Sequence, residues 1–497
     1  MHSNEDQYVI DYFNQHYQRD EEGRFIVKFP FRTPLYADAV LGKSRENALK
    51  QFLQSERKFA CNPEFKKEYV KNINDYLIQG HMHELFDSES DRKYITKDGR
   101  VAYDCFYLPH HAVIKESSTS TRLRPVYNAA KITSNGNSLN SILFTGPMLL
   151  NDLISILEIS NWRFHRIAFV GDIQQMYRQI RVAESDVTYQ RILWRDEPFK
   201  RFREYGINRL GFGTNYAPCA ANQCVNKLAD LNSEEFPEAS EVMKRDIYMD
   251  DTITGSHSVS KALQIQRDLI HVFNSAGFCI KEWASNSEKI LAAVSESDRE
   301  ISIPFFINPD REIKTLGIFW SISTDTLNFN INYKEREIIT NQFVLSTIAR
   351  IYDPLGLVSP LIVKAKIFMK SLWLLNLDWH DPLPMEKVKE WKQFISKLPS
   401  LSTIKIPRWI GTSPICSSLQ LHSFSDASID AYGAEIYVRY IDENEQIHSR
   451  LIIAKSKVAP MKIQTIPRLE LCAALLLSKL IKYTLNCIRI QKFNASN

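Results

Sequence analysis

The chain has 497 residues, of which 44% are hydrophobic and 24% are charged, and its 62 Lys and Arg against 58 Asp and Glu give a net charge of +4. This composition is typical of a globular chain of roughly three domains, and it excludes a disordered or fibrous protein, a histone-like polycation and an acidic tail. The eight cysteines, none of them in a Cys-x-x-Cys pair, exclude a disulfide scaffold and a zinc finger.

The first 130 residues mix helical and extended patterns. No basic segment followed by an apolar one occurs at the start, so we expect no signal peptide. Apolar residues at helical spacing predict a helical region from Arg45 to Ile78. Residues Val101 to Val126 read as strands joined by the polar run 115–121.

Farther along, short strand-like runs alternate with helical sequence. The apolar runs 167–170 and 247–248 predict two strands, and alternation returns around Ile301 to Trp320. Residues Asn341 to Leu377 have a helical pattern that Asp353-Pro354-Leu355-Gly356 interrupts. Five prolines between positions 382 and 414 then indicate a loop-rich stretch, which we interpret as a linker.

The last part of the chain predicts a separate α/β unit. Residues Leu419 to Cys487 read as two strands followed by an apolar helix. The longest apolar stretch of the chain, Leu469 to Ile481, contains Glu470 and Lys479 and is too short for a membrane span. We therefore expect an intracellular protein without a membrane partner.

Acidic residues at the ends of apolar runs are the sharpest chemical signal. In Tyr248-Met249-Asp250-Asp251, strand-forming residues on both sides predict a tight hairpin with the two acids at its tip. A third acid, Asp172, directly follows an apolar strand. A solvated turn and a helix-capping acid are the alternatives for each part taken alone. Because neighbouring carboxylates repel one another unless a cation neutralises them, the parts together predict a site for divalent metal ions.

This arrangement of acids resembles the palm of retroviral-type reverse transcriptases. Other segments are similar to the Pol polyprotein of BEL/Pao-type LTR retrotransposons, and the similarity extends from about Gly23 to Leu485. These segments are Leu123-Arg124-Pro125-Val126-Tyr127-Asn128-Ala129-Ala130-Lys131, Gly211-Phe212-Gly213-Thr214-Asn215-Tyr216-Ala217-Pro218, Ile351-Tyr352-Asp353-Pro354-Leu355-Gly356-Leu357-Val358-Ser359-Pro360 and Ile466-Pro467-Arg468-Leu469-Glu470-Leu471.

The resemblance implies an α+β fold. It consists of a right-hand-like polymerase with fingers, palm and thumb/connection, followed by a truncated RNase H-like α/β unit. The implied boundaries are an N-terminal segment at 1–100, fingers and palm at 101–290, a thumb/connection or Pao-type region at 291–410, and an incomplete RNase H-like domain at 411–497.

The resemblance also implies the catalytic residues of the polymerase. Asp172, Asp250 and Asp251 would be the catalytic acids, and they would hold two Mg²⁺ or Mn²⁺ ions together with the carbonyl oxygen of Ile173. Asp172 and Asp250 would be the principal ligands. Tyr177, five residues after Asp172, matches the aromatic residue that closes the 2′ side of the sugar. Because a bulky ring there clashes with a ribose 2′-hydroxyl, we expect dNTPs as substrates.

Other residues would contact the nucleotide or the primer. The remaining residues expected to bind the dNTP are Lys115, Arg124, Phe212, Gly213 and Lys281. The residues expected to support the primer are Leu316, Gly317 and Trp320. One residue departs from the family pattern, since Asn128 stands where an Asp is usual.

The C-terminal unit resembles part of RNase H. Asp426, within Ser423-Phe424-Ser425-Asp426-Ala427-Ser428, matches the acid of the first strand, and Glu470 matches the second acid. The next acid of that family lies within a Thr-Asp-Ser segment, and no such segment follows in this sequence. We expect the module to be incomplete and inactive in RNA cleavage.

The sequence therefore predicts an RNA-directed DNA polymerase of a retrotransposon. Its expected partners are an RNA or DNA template, a primer strand, dNTPs and other Pol or Gag products, and its expected location is the cytoplasm, including virus-like particles. An inactive Pol-derived fragment that binds nucleic acid is one alternative. A Pao-type aspartic peptidase around Asp353 is disfavoured, because no Asp-Thr-Gly or Asp-Ser-Gly sequence occurs.

Overall fold

The computed structural model describes residues 3–36, 38–114, 123–158, 162–299, 312–315, 318–329, 336–351, 353–412 and 417–487. The chain divides into two compact units, each assembled from several segments. The first unit comprises residues 1–150, 173–244 and 268–280, and the second comprises 151–172, 245–267 and 281–497. Within the described residues, none of the helices has both the length and the apolar character required to cross a membrane.

The helices follow the chain in this order: α1 (Asn4–His16), α2 (Arg45–Cys61), α3 (Pro63–Ile78), α4 (Leu139–Ile142), α5 (Leu153–Glu158), α6 (Met176–Gln179), α7 (Glu184–Val187), α8 (Ala217–Leu231), α9 (Pro237–Arg245), α10 (Val259–Asn274), α11 (Glu288–Ala292), α12 (Asn341–Ala349), α13 (Ser359–Trp373), α14 (Met385–Ile395) and α15 (Ile466–Cys487). Short 3₁₀ turns occupy Glu89–Arg92, Thr188–Gln190, Glu296–Asp298 and Leu398–Thr403.

The strands follow in this order: β1 (Gln18–Arg19), β2 (Phe25–Val27), β3 (Met82–Leu85), β4 (Lys93–Ile95), β5 (Val101–Tyr103), β6 (His110–Ile114), β7 (Leu123–Tyr127), β8 (Ile167–Ile173), β9 (Arg181–Val182), β10 (Arg191–Trp194), β11 (Arg203–Ile207), β12 (Ile247–Tyr248), β13 (Asp251–Ser256), β14 (Ile280–Ser285), β15 (Glu312–Thr315), β16 (Ile318–Ser321), β17 (Thr326–Asn328), β18 (Lys405–Pro407), β19 (Ser417–Ala427), β20 (Ala431–Ile441) and β21 (Ile447–Val458).

The helical region predicted from Arg45 to Ile78 is present as two helices. Asn62 separates α2 from α3 and accepts a hydrogen bond from the backbone N–H of Phe65 at 3.0 Å. Pro63 occupies the first position of α3, where its missing N–H costs nothing because the first turn has no intrahelical acceptor for it. The proline therefore starts a new helix instead of continuing α2.

The first unit contains small sheets and hairpins with a hydrophobic core between them. Its sheets have the strand orders β1-β2-β9 and β10-β11-β3, and β4-β5 and β6-β7 are antiparallel pairs. One of its buried clusters combines residues of α2, β5, β10 and the segment before β6, namely Ala48, Tyr103, Cys105, Tyr107 and Leu193.

The second unit is built on three sheets. A sheet of order β12-β13-β8-β14 carries the predicted acids, and two others have the orders β15-β16-β17-β18 and β19-β20-β21. Strands β8 and β14 each extend one residue into the first unit. Under the acid-bearing sheet lies a buried cluster that includes Ala168, Val170, Ile253, Trp320 and Leu327. Both units together form a mixed α/β fold.

Two sequence interpretations differ from the structure. The C-terminal unit has three strands before its helix, and the third, β21, pairs with β20 over its whole length from Ile447 to Val458. Its burial alternates only in part, so its strand pattern is weak in the sequence. The proline-rich stretch interpreted as a linker contains α14. Pro384 does not prevent this helix, because it sits at the N-cap, before the first intrahelical N–H is needed.

Candidate active site

Asp172 and Asp251 lie opposite one another on neighbouring antiparallel strands. Asp172 belongs to β8 and is paired in register with Asp251, the first residue of β13. Residues that face each other across such a pair point to the same side of the sheet, with Cα atoms about 4.5–5.5 Å apart. Both aspartates are half-buried. The sheet therefore brings two carboxylates side by side.

The third acid lies in the turn that joins β12 to β13. Because Tyr248 pairs with Asp251, Met249 and Asp250 form a two-residue turn. Met249 has a φ of 55°, in the left-handed region that a non-glycine residue seldom adopts. A positive φ at a non-glycine residue costs of order 1–3 kcal/mol, so the rest of the hairpin must hold it. Asp250 is exposed at the tip of this turn.

A buried acid that the sequence analysis missed braces this hairpin. Asp246 is 1% exposed, and its carboxylate accepts hydrogen bonds from Nε and Nη2 of Arg245 at 2.7 and 2.8 Å. It also accepts one from Oγ1 of Thr254 at 2.7 Å, while its carbonyl accepts the N–H of Ile253 at 2.9 Å. The Arg-Asp pair immediately before the hairpin was the available signal. Asp246 thus fixes β12 against β13.

The acids suit magnesium through oxygen ligands. Among the described residues, no group of three or more His, Cys, Asp or Glu side chains is close enough to hold a metal ion. Mg²⁺ in proteins usually takes only one or two carboxylates, and substrate phosphates and waters complete its shell. The facing carboxylates of Asp172 and Asp251, with Asp250 in the adjoining turn, fit that pattern. The role of the buried Ile173 carbonyl remains a prediction.

In the first unit, the structure brings together two of the residues predicted to contact the nucleotide. Tyr177 lies on α6, and its ring centroid is 4.8 Å from that of Phe212, which is 43% exposed. Gly213 has a φ of 120°, and a Cβ atom there would lie 1.9 Å from the carbonyl oxygen of Tyr127. Position 213 therefore accepts only glycine, so no side chain covers the backbone next to Phe212.

The other predicted polymerase residues have partners of their own or lie outside the described part of the chain. Lys281 forms an ion pair with Asp298 at 3.4 Å, and Nε1 of Trp320 donates to Oδ1 of Asp325 at 2.9 Å. Arg124 stands on β7 opposite Val113. The remaining three residues lie outside the described part of the chain: Lys115, Leu316 and Gly317.

The two RNase H-like acids meet at one backbone group. The N–H of Ala427, at the end of β19, donates to Oδ1 of Asp426 at 2.9 Å and to Oε1 of Glu470 at 3.3 Å. Glu470 comes from the first turns of α15, so the end of this strand and the start of this helix converge. A carboxylate pair is therefore present in the second unit, separate from the pair at Asp172 and Asp251.

Asp353 has a structural role in the loop before α13. Its carboxylate oxygens accept the backbone N–H groups of Leu357 and Val358 at 2.8 and 2.7 Å. Burial raises the pKa of this carboxyl above its usual value, and these hydrogen bonds oppose the rise. Gly356 has a φ of 70°, and a Cβ atom there would lie 1.8 Å from the carbonyl oxygen of Ala454. The Asp-Pro-Leu-Gly segment is thus shaped for close packing against β21.

Comparison with known proteins gives a family match for the last third of the chain and a fold match for most of it. Residues 340–496, which include Asp426 and Glu470, match the Pao retrotransposon-like RNaseH-like domain. The foamy viral protease-reverse transcriptase in complex with an RNA/DNA hybrid has a TM-score of 0.54 and 14% identity, and the match covers 97% of this chain and 54% of that one. The dRH form of the same protein in complex with double-stranded DNA also has a TM-score of 0.54 and 14% identity, with 84% and 61% covered.

These matches support the coarse interpretation of the sequence. At 14% identity, the likeness to the foamy viral protein concerns the fold alone, and this chain spans little more than half the length of those chains. No curated protein matches the sequence significantly. The mixed α/β class and the similarity to a Pao-type RNase H-like domain are confirmed, while the fingers, palm and thumb boundaries stay predictions.

Proposed function

We propose that this chain is an RNA-directed DNA polymerase, which extends a primer on an RNA or DNA template with dNTPs. The observation that carries the proposal is the register that sets Asp172 opposite Asp251, next to the turn that presents Asp250. The fold likeness to a protease-reverse transcriptase and the Pao-type match of residues 340–496 agree with it.

The three acids would prepare the site for cations before substrate arrives. Two carboxylates held face to face repel each other, and bound metal ions would relieve that repulsion. Two Mg²⁺ or Mn²⁺ ions would stabilise both the attacking primer oxygen and the leaving pyrophosphate oxygen of an in-line transfer. Because Asp246 fixes the hairpin, Asp250 and Asp251 need little reorganisation to bind them.

The alternative of a nucleic-acid-binding fragment without activity differs from this proposal in one measurable property. Both predict binding of template–primer, and only the polymerase adds nucleotides. The acids at positions 172, 250 and 251 favour the polymerase, because two-metal nucleotide addition needs carboxylate ligands. A peptidase at Asp353 receives no support, because backbone N–H groups already occupy that carboxylate.

Primer extension by the full chain tests the proposal. The purified chain is incubated with a DNA primer annealed to an RNA template, dNTPs and Mg²⁺ or Mn²⁺, and the expected result is template-dependent extension that EDTA abolishes. Extension that ignores the template sequence, or binding of template–primer without any nucleotide addition in either metal, would contradict the proposal.

Tyr177→Val should make the enzyme less selective for deoxyribonucleotides. Removing the ring that packs on Phe212 opens space where a 2′-hydroxyl would otherwise clash, so the ratio of rNTP to dNTP incorporation should rise about tenfold or more. Single-turnover incorporation of matched rNTP and dNTP measures that ratio. Tyr177→Phe keeps the ring and is the matched control. An unchanged ratio in Tyr177→Val would remove Tyr177 from the sugar-selecting role.

This chain should not cleave the RNA strand of an RNA–DNA hybrid. Two-metal hydrolysis needs enough carboxylates to hold both ions, and the contacts at the Ala427 N–H bring together two, from Asp426 and Glu470, whereas the proposed polymerase site has three acids. A labelled hybrid incubated with Mg²⁺ or Mn²⁺ is the measurement, and Asp426→Asn is the control. Cleavage by the wild type that Asp426→Asn abolishes would show that the prediction is wrong.

A further inference from the structure

Two arginines of the first unit face each other at close range. Arg181 of β9 and Arg209 form an antiparallel bridge. The flanking hydrogen bonds run from the N–H of Val182 to the Asn208 carbonyl at 3.0 Å and from the N–H of Leu210 to the Ile180 carbonyl at 2.9 Å. This pattern makes the two arginines a non-hydrogen-bonded pair, whose Cα atoms are about 4.5 Å apart. Like charges directly opposite are destabilising.

A third arginine adds to this positive charge. Nη1 of Arg24 donates to Oε1 of Gln179 at 2.7 Å and to the Gly277 carbonyl at 3.0 Å, and both acceptors are neutral. Nε of Arg24 lies 3.2 Å from Oε2 of Glu22, which is 77% exposed and therefore weakly coupled. Nη1 of Arg181 pairs with Oδ2 of Asp20 at 3.1 Å. Asp20 is thus the one well-placed anion that the described residues offer to these arginines.

Arg209 is the least satisfied of the three. Its Nε and Nη1 atoms are buried and have no hydrogen-bond acceptor among the described residues. Burial, and then repulsion from Arg24 and Arg181, lower the pKa of Arg209 to about 10. Unpaired buried donors of a charged group cost more free energy than those of a neutral group. An added anion would relieve both the repulsion and the missing acceptors.

A histidine next to these arginines responds to the same positive field. Burial, followed by repulsion from Arg178, Arg209 and Arg24, lowers the pKa of His81 to about 3. The neutral ring accepts hydrogen bonds at Nδ1 from Nε and Nη2 of Arg178, at 3.1 and 3.0 Å. His81 therefore supplies no charge, and Arg178 adds a fourth cation beside the three. The excess positive charge is therefore shared by several neighbouring arginines.

We propose that Arg24, Arg181 and Arg209 form a binding site for a phosphate group, which the catalytic assignment above does not include. The guanidinium fork matches two phosphate oxygens, and several arginines around one phosphate satisfy its oxygens from different directions. The side chains of Arg24 and Arg181 are 23% and 39% exposed, so a phosphate reaches them from solvent. The phosphate belongs either to a nucleic-acid backbone or to a small phosphate compound.

Arg209→Met tests the site, because it keeps an unbranched apolar stem and removes the charge and the N–H donors of the guanidinium. Arg57→Met, an exposed position on α2 of the same unit, makes the same charge change and is the matched control. Thermal unfolding of the full chain is followed at constant ionic strength in chloride, and then with inorganic phosphate, pyrophosphate or a short single-stranded oligonucleotide added.

The expected result has two parts. In chloride alone, Arg209→Met should unfold at the same temperature as the wild type or higher, since it loses repulsion and unpaired donors. Phosphate compounds should raise the unfolding temperature of the wild type and of Arg57→Met, and their apparent affinity should fall at least about tenfold in Arg209→Met. Protection by the oligonucleotide at lower phosphate concentration than by pyrophosphate identifies a nucleic-acid backbone, and the reverse identifies a small phosphate.

Three results would overturn the site. One is equal protection of Arg209→Met and wild type by every probe, and another is the absence of protection in the wild type. The third is a lower unfolding temperature of Arg209→Met in chloride with its phosphate response kept, which would make Arg209 a structural residue. Because the readout is unfolding and not synthesis, the same experiment on Asp172→Asn keeps this outcome separate from that of the polymerase proposal.

Discussion

Asp172→Asn and Asp250→Asn should each lower RNA-templated primer extension by about a hundredfold or more. An amide in place of a ligand carboxylate removes one negative charge from the metal ions, and a loss of about 3 kcal/mol of transition-state stabilisation corresponds to that factor. Asp251→Asn should also lose activity, with a smaller effect if Asp250 is the principal ligand as the resemblance implies. Single-turnover extension rates at saturating dNTP are the measurement.

The relative losses of activity in Asp250→Asn and Asp251→Asn show whether the strand register or the family resemblance identifies the metal ligand better. The register places Asp251, and not Asp250, directly opposite Asp172. A larger loss in Asp251→Asn than in Asp250→Asn would show that the register identifies the ligand better than the resemblance does. Asp378→Asn, an exposed aspartate of the second unit, is the control and should keep the wild-type rate. Near wild-type extension by Asp172→Asn would refute the metal site.

Arg408→Met should destabilise the second unit by about 3 kcal/mol. Arg408 is fully buried, and its guanidinium forms a two-pronged ion pair with Asp325, from Nε to Oδ1 at 2.6 Å and from Nη2 to Oδ2 at 2.8 Å. It also donates to the backbone carbonyls of Trp162, His165 and Arg166. Removing the guanidinium leaves the Asp325 carboxylate with neutral donors, among them Trp320, but without its cation, and it leaves several carbonyls without their donor, which is the costly half of a buried pair. Urea unfolding followed by tryptophan fluorescence measures the change.

Tryptophan fluorescence suits this measurement because two indoles flank the guanidinium. The Cζ atom of Arg408 lies 5.4 Å from the ring centroid of Trp162 and 5.8 Å from that of Trp320. Arg336→Met is the control, since Arg336 is exposed and lies over the ring of Phe343 at 5.3 Å. It should change the stability by less than about 0.5 kcal/mol. An equally small change in Arg408→Met would mean that Arg408 does not hold the loop at Asp325 to the segment 162–166.

Much of the local structure around the acids was predictable from the sequence. A tight hairpin at Tyr248-Met249-Asp250-Asp251 follows from strand-forming residues on both sides of a polar centre, and the structure has β12, a two-residue turn and β13 there. The strand predicted before Asp172 is likewise present as β8, which includes Asp172 and ends at Ile173. The third strand of the C-terminal unit was missed, because its pattern of buried residues is irregular and a two-residue period does not stand out.

The sequence by itself determined that a strand precedes Asp172, that a tight hairpin carries Asp250 and Asp251, and that the part of the chain from residue 411 resembles part of RNase H. These features depend on residues adjacent in the chain, so local patterns reveal them. Only the tertiary structure decided that Asp172 faces Asp251, that Asp246 and Arg408 are buried and bonded, and that Arg181 faces Arg209. Strand register and burial depend on which distant segments meet, and a charged residue in the sequence gives no sign of the partner that folding supplies.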